Sequence, residues 1–445
     1  VSVTATVKAG YTFEKWTADV TSLTSTENPY TFNMPASDLT LTATATANKY
    51  TVRFNPNPSA EMTAAGVTVS GTMADQSFTY DAAGALADNL FKAAGFNFVG
   101  WNTLADGTGT AYTDGASVSN LTTENNGVVN LYAQWTTPKV WLQSTAIDSA
   151  KIDNLTRADL DPSGTGYATL ADAIAAIATN GTGHIILLED MALTANTSIS
   201  NNKDITLYEL SSVTLNIAYS LSVSNGSKLT IKNGNYNISR SITSKGELNI
   251  YGGEFVGTGT INLTGWSSKS ALNIYGGQFN IKTIECIYDD TTPRANIYDG
   301  LFNLTDGICC NGVKLTYYGG RFETGKLYTN GGYDNTIIVS GGYIKTLEII
   351  AGHGGLTLDG DCQIDDITHS NGEPTIINSI NVKVSTYTTS TQSLLSILDF
   401  SNISTGKVLV NSIDIKCGGI GGLSQLGSTV ARFVDNATAV ANLNK

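Results

Sequence analysis

Hydrophobic and polar positions change rhythm twice along the 445 residues. From Val1 to about Asn48, Val, Thr and Ala alternate, and GYTFEKW (Gly10–Trp16) and YTFNMPASDLTLTATA (Tyr30–Ala45) continue the alternation. Successive side chains leave a strand on opposite faces, so this pattern predicts half-buried strands. A longer unit runs from Tyr50 to Trp135 and opens with YTVRF at Tyr50 and QSFTY at Gln76. Its next segment predicts a short helix over Ala83–Ala93, followed by GFNFVGWNTLADGTGTAY from Gly95 and VVNLYAQW ending at Trp135. Phe96, Phe98, Trp101, Tyr132 and Trp135 are expected to form one aromatic core between sheet and helix. An exposed aromatic platform for sugars is the weaker alternative, because so small a unit can scarcely spare its large apolar side chains.

After Pro138 the character changes. YATLADAIAAIA (Tyr167–Ala178) places Leu170, Ile174 and Ile177 at helical spacing, and a GTG turn leads into the strand HIILLED from His184. A helix feeding a buried strand suits the start of a solenoid, whose first coil would otherwise expose its apolar interior and an unpaired strand edge.

A short phrase then recurs seven times: LTIKNGNY at Leu229, LNIYGGEF at Leu248, LNIYGGQF at Leu272, ANIYDGLF at Ala295, LTYYGGRF at Leu315, IIVSGGYI at Ile337 and LTLDGDCQI at Leu356. The aligned glycines, Gly234, Gly253, Gly277, Gly300, Gly320, Gly342 and Gly360, are 19, 24, 23, 20, 22 and 18 residues apart. A period in the low twenties marks a solenoid whose repeats bury their apolar faces by stacking. A leucine-rich repeat would need LxxLxLxxN and a helical segment; each unit here is instead an apolar–polar–apolar triplet, a Gly corner and another apolar residue. That is a β-helix coil. Leu248, Ile250 and Phe255 should point inward, as should Leu272, Ile274 and Phe279. Tyr251, Tyr275, Tyr298 and Tyr318 share one position and should stack at about 4.8 Å per coil. Gly342 and Gly360 are expected to be neighbours in adjacent coils. The segment Asn371–Lys445 keeps strand-like runs without the glycine phrase, and reads as the last irregular coils with a C-terminal cap.

The pieces at Val52–Phe54, Gly95–Thr103, Ala105–Tyr112 and Leu131–Trp135 resemble the Listeria–Bacteroides repeat, or internalin B-repeat, found in tandem on bacterial surface proteins. The first unit, with GYTFEKW and FNMPASDLTLTA, resembles the divergent form of that repeat with its start missing. This resemblance implies β-grasp-like spacer or interaction modules and carries no catalytic residues. Residues 167–431 are similar to right-handed parallel β-helix proteins of the pectate-lyase-like superfamily, which include lyases, glycosidases, adhesins and inert stalks. The expected class is therefore mainly β: repeat modules at 1–49 and 50–137, then a right-handed parallel β-helix over 138–445 with a helical cap at about 167–180.

Composition narrows the function. With 25 basic against 38 acidic side chains, a net charge of −13 argues against a nucleic-acid or anionic-membrane partner. No apolar stretch approaches the roughly 20 residues of a spanning helix. Val1 is not an initiator Met, so any targeting segment is expected outside this sequence. The five cysteines, Cys286, Cys309, Cys310, Cys362 and Cys417, show no CxxC spacing and read as packed interior residues.

Glycoside hydrolysis would need two carboxylates across a sugar bond. The candidates are Asp289 with Asp290, and Asp359, Asp361, Asp365 and Asp366 near His353 and His369; solvated turn carboxylates are the plainer reading. A lyase would need a Lys or Arg over bound calcium, and neither Arg294 nor Arg321 has an evident partner in the sequence. EF-hand and nonapeptide calcium patterns, phosphate loops, GxSxG and HExxH are absent, so no metal or cofactor is expected. The remaining candidate is the tyrosine column Tyr251, Tyr275, Tyr298 and Tyr318, either as a glycan-binding strip or as a structural ladder. The sequence reads best as a monomeric, secreted or surface-attached bacterial adhesin without catalytic activity, which meets glycans or host or bacterial surface proteins. A polysaccharide lyase or glycoside hydrolase, and a purely structural stalk, are the alternatives.

Overall fold

The computed structural model describes residues 1–19, 23–265, 270–287, 294–330, 335–349, 354–369, 375–377, 383–389, 398–399 and 414–417. Strands make up 53% and helices 6% of the described residues, which are therefore mainly β. It forms two compact units, Val1–Pro138 with Leu160–Ser163, and Lys139–Asp159 with Gly164–Lys445.

In the first unit, YTFEKWTA and LTATATA become the antiparallel strands Tyr11–Ala18 and Leu41–Ala47, and Trp16 and Phe32 are buried. The buried Asn48 joins Leu41–Ala47 to the next strand, Lys49–Asn55. Its Oδ1 accepts from the Thr12 hydroxyl at 2.5 Å and its Nδ2 donates to the Thr123 carbonyl at 2.7 Å. A buried amide satisfied on both sides fixes that junction. Lys49–Asn55 lies parallel to Gly127–Thr136 at the heart of a five-stranded sheet completed by Gln76–Thr79, Asn97–Asn102 and Ala111–Tyr112. The helix Ala60–Ala64 is capped by Ser59, whose side chain accepts from the Met62 N–H, and it buries Met62.

Two expectations are corrected in this unit. No helix forms over Ala83–Ala93. Gly84–Ala85 pairs instead with Ser117–Val118, the Gln76 amide bonds the Ala85 carbonyl and the Ala87 N–H, and Lys92 bridges to Ser70. Those partners take up backbone groups that a helix would satisfy internally. The aromatic core is also composed differently: Trp101 packs with Phe54, Phe91 and Phe98 at ring separations of 4.8, 6.0 and 5.0 Å. Trp135 lies edge-on to Phe98, but Tyr132 lies outside the cluster because Leu131 and Ala133 take the inward positions, and Phe96 is buried elsewhere.

In the second unit, Val140–Gln143 runs antiparallel to Thr182–Leu187 and covers the edge of the first coil. The helix Leu170–Ala176, capped by Thr169, turns Leu170, Ala173 and Ile174 inward, and Ile177 follows them into the solenoid core. Parallel pairing then links successive coils, from Thr182–Leu187 to Asp204–Glu209, Lys228–Ile231, Glu247–Ile250, Ala271–Ile274, Arg294–Ile297 and Lys314–Tyr317. Asn335–Ile349 and Gly354–His369 follow, in a β-solenoid of about eight turns.

All six residues expected to point inward are buried. Phe255, Phe279 and Phe302 stack with ring centres 4.9 Å apart in both steps. The glycine corners have a steric cause. Gly253 and Gly320 have φ of +110° and +95°, and a Cβ on either would lie 2.9 and 2.7 Å from the carbonyl oxygen of Gly234 and Gly300 in the preceding coil.

The stack of corners does not extend to Gly360. An extra residue enters the strand Gly354–His369 between Leu358 and Asp361, so Gly342 sits opposite Cys362 and Gly341 opposite Asp361. Cys286, Cys309, Cys310 and Cys362 are free and buried, and desolvation pushes the Cys286 and Cys362 thiols up to about 12. Beyond residue 369 only the strands Thr375–Ile377, Lys383–Thr389, Leu398–Asp399 and Asp414–Cys417 are described. Residues 418–445, where the C-terminal cap is expected, lie outside the described residues.

Candidate functional site: the tyrosine column and its groove

Because Ile250, Ile274, Ile297 and Tyr317 face the core, the next residue of each coil faces out. Tyr251, Tyr275, Tyr298 and Tyr318 therefore form one column on the solenoid surface, with 46, 36, 40 and 46% of their surface exposed. Their ring centres are 4.4, 4.7 and 4.8 Å apart, with planes inclined by 17, 3 and 4°. The column is thus an exposed strip and a structural ladder at once. Stacking covers both faces of Tyr275 and Tyr298, which leaves ring edges and hydroxyls to solvent. Partial burial, then the neighbouring Tyr251 and Tyr298, push the Tyr275 hydroxyl above its ordinary pKa.

The column has two different ends. Lys232 occupies the tyrosine position of the preceding coil, and its Nζ lies 3.5 Å from the Tyr251 ring centre. At the other end Tyr317 pairs with Val339, so Ser340 follows Tyr318 in the column. An asparagine ladder runs alongside: Asn273 donates to Asn249 and Asn296 to Asn273, both at 2.8 Å. The sequence reading passed over Lys232 and these asparagines, although both were visible as substitutions or repetitions within the phrase.

Just past the tyrosines, the glycine corners line a groove of about 800 Å³ bordered by Asn233, Gly253, Gly277, Gly300, Gly320 and Arg321. Beneath the Gly234 end lies the fully buried Glu209. Its Oε2 accepts from the Asn235 N–H at 2.8 Å, while Oε1 has no hydrogen-bond partner among the described residues. Desolvation raises its pKa to about 8, which keeps the carboxyl protonated at neutral pH.

The candidate acids Asp359, Asp361, Asp365 and Asp366 all lie in the single strand Gly354–His369. Asp359 is half-buried and accepts from the Gly360 N–H at 2.8 Å; Asp361 and Asp366 are exposed, facing Gly341 and Thr346 across the coil interface. Asp365 accepts from the Tyr343 hydroxyl at 2.5 Å. Arg321, expected to be partnerless, pairs with Glu323 and lies 4.5 Å from the Tyr343 ring centre. Arg294 is exposed beside Lys314 in the coil register. Asp289, Asp290 and His353 lie outside the described residues, as does the side chain of His369. Among the described residues, no group of three or more His, Cys, Asp or Glu side chains could hold a metal ion, and no helix is long and apolar enough to cross a membrane.

Residues 1–49 match the family model of the divergent InlB B-repeat domain, and residues 50–134 that of the Listeria-Bacteroides repeat domain. The first third of the chain is a tandem of these repeats. Listeria-Bacteroides repeats occur in bacterial surface and secreted proteins. No curated protein and no solved structure matches the chain. The ADGTGTAY turn of the Listeria-Bacteroides repeat is held locally, with Asp106 accepting from the Thr108 N–H at 3.0 Å and from its hydroxyl at 2.7 Å. The two repeats meet at Asp81, which accepts from Lys8 at 3.1 Å, Tyr11 at 3.0 Å and Asn120 at 2.8 Å. These bonds, led by that from Asn120, hold the Asp81 carboxyl below its ordinary pKa.

Proposed function

We propose that this chain is a ligand-binding protein of the bacterial surface or its surroundings, without catalytic activity of its own. Its solenoid presents the tyrosine column and the adjoining groove to glycan or protein ligands. The observation that carries this reading is the four-residue aromatic strip, a third to a half exposed on a rigid coil stack. Monomeric soluble proteins rarely keep such repeated aromatic surface unless it meets a partner. The acidic balance of the chain and the repeats that precede the solenoid support the setting.

Glycan and matrix-protein arrays probed with the full chain test it. Binding to a defined ligand, with loss on Tyr275→Ala, is expected. Shortening of a polysaccharide by the purified chain would transfer the site to catalysis, and failure to bind any array ligand would leave a stalk.

A further inference from the structure

We infer that the break in the tyrosine column at Ser340 is a slot for a cationic side chain, lysine or arginine, of a protein partner. The inference rests on the reading that the tyrosine face binds a ligand, and it names the chemistry of one contact.

The column runs Lys232, Tyr251, Tyr275, Tyr298, Tyr318, Ser340. Leu358 and Val339 are paired, and after them Asp359 and the extra residue Gly360 together stand opposite the single Ser340, which places Asp359 at the coil beyond the break. Inside the ladder every ring face is covered by another ring. The outer face of Tyr251 is covered by the ammonium of Lys232. Ser340 follows Tyr318 in the coil register, and among the described residues no second ring or cation stacks on Tyr318, whose ring pairs with Tyr298 alone. A one-coil gap therefore lies between an aromatic face and a carboxylate. Asp359 Oδ1 accepts from the Gly360 N–H, while its Oδ2 has no partner among the described residues.

This arrangement fits a cation on both sides. An ammonium or guanidinium in the gap would lie on the electron-rich Tyr318 face, as Lys232 lies on Tyr251, and would meet the Asp359 carboxylate on its far side. A neutral ring would satisfy the aromatic face and leave the carboxylate without a counter-charge. The chain's own Lys232 thus displays, at one end of the ladder, the contact that the other end lacks.

The test measures binding of an acetylated hexalysine peptide to the full chain at physiological salt, for wild type and for Ser340→Tyr and Asp359→Asn. Ser340→Tyr continues the ladder through the gap and leaves the net charge unchanged, so general attraction between a polycation and an acidic chain is preserved. The expected result is at least tenfold weaker binding for Ser340→Tyr and a several-fold loss for Asp359→Asn, with thermal midpoints no lower than that of wild type. Equal binding by wild type and Ser340→Tyr overturns the slot while leaving array binding through the tyrosine face intact. Binding of a glucosamine hexamer in place of the peptide, abolished by Ser340→Tyr, also overturns it, by assigning the slot to an amino sugar. Absence of any array ligand removes the underlying reading itself.

Discussion

The ammonium of Lys232 sits 3.5 Å from the centre of the Tyr251 ring, on the face turned away from Tyr275. A surface column that starts with a cation and continues through four stacked rings is held by contacts along the solenoid axis, beyond the hydrogen bonds of the coils. Tyr275 contributes to two of these stacks. Its replacement by Ala should lower stability by about 1–3 kcal/mol, from two aromatic contacts of about 0.5–1.5 kcal/mol each. Lys232→Ala should cost less, about 0.5–1 kcal/mol. Urea midpoints of the two variants check the order; a larger loss for Lys232→Ala would contradict it.

A corner glycine and a glycine at a strand start should respond differently to a side chain. Gly320→Ala places a Cβ 2.7 Å from the Gly300 carbonyl oxygen at a φ of +95°, and should cost about 1–3 kcal/mol. Gly355→Ala meets nothing within 4 Å and has no positive φ, so it should be close to neutral. Equal thermal midpoints for the two variants would show that the corners tolerate side chains.

Glu209 should make stability depend on pH. Its carboxyl titrates near 4.5 in an unfolded chain and at about 8 when buried. Below the lower value both states are protonated. Between the two values only the unfolded chain releases the proton, so stability falls as pH rises through that window and levels off above it. Glu209→Gln should flatten this slope, measured as urea midpoints at pH 5 and pH 8.5. An unchanged slope in the variant would place the pH dependence elsewhere.

The buried thiols should be inert in the folded state. Cys286, Cys310 and Cys362 are desolvated, and thiolate formation is suppressed in each. An alkylating reagent at pH 8 should label them only after denaturation, as read by peptide mass spectrometry. Labelling of Cys286 in the native chain would contradict the packing of the adjacent coils.

The coils were legible because one constraint repeats: the apolar triplet and the corner glycine recur wherever backbone meets backbone in the next coil. The spacing of Tyr251, Tyr275, Tyr298 and Tyr318 followed from the same register. The segment around Ala83–Ala93 was misread because its partners, Gln76, Ser70 and Ser117–Val118, are distant in sequence. The slip at Gly360 escaped because one inserted residue leaves the phrase recognisable while shifting the pairing. Glu209 carried no local sign of burial, since the coil that covers it arrives some 25 residues later, at Gly234 and Asn235. The tyrosines read in the sequence as either a structural ladder or a glycan-binding strip; alternation and coil spacing make them a stacked ladder whose edges are exposed.

The central claim is that the tyrosine face binds a ligand and performs no reaction. Its most direct test incubates the full chain with the strongest ligand from a glycan and matrix-protein array, following both binding and ligand mass, for wild type and Tyr298→Ala. Wild type is expected to bind, a folded Tyr298→Ala to bind at least tenfold more weakly, and the ligand to keep its mass. Undiminished binding by the variant, or a ligand cleaved by wild type, would contradict it.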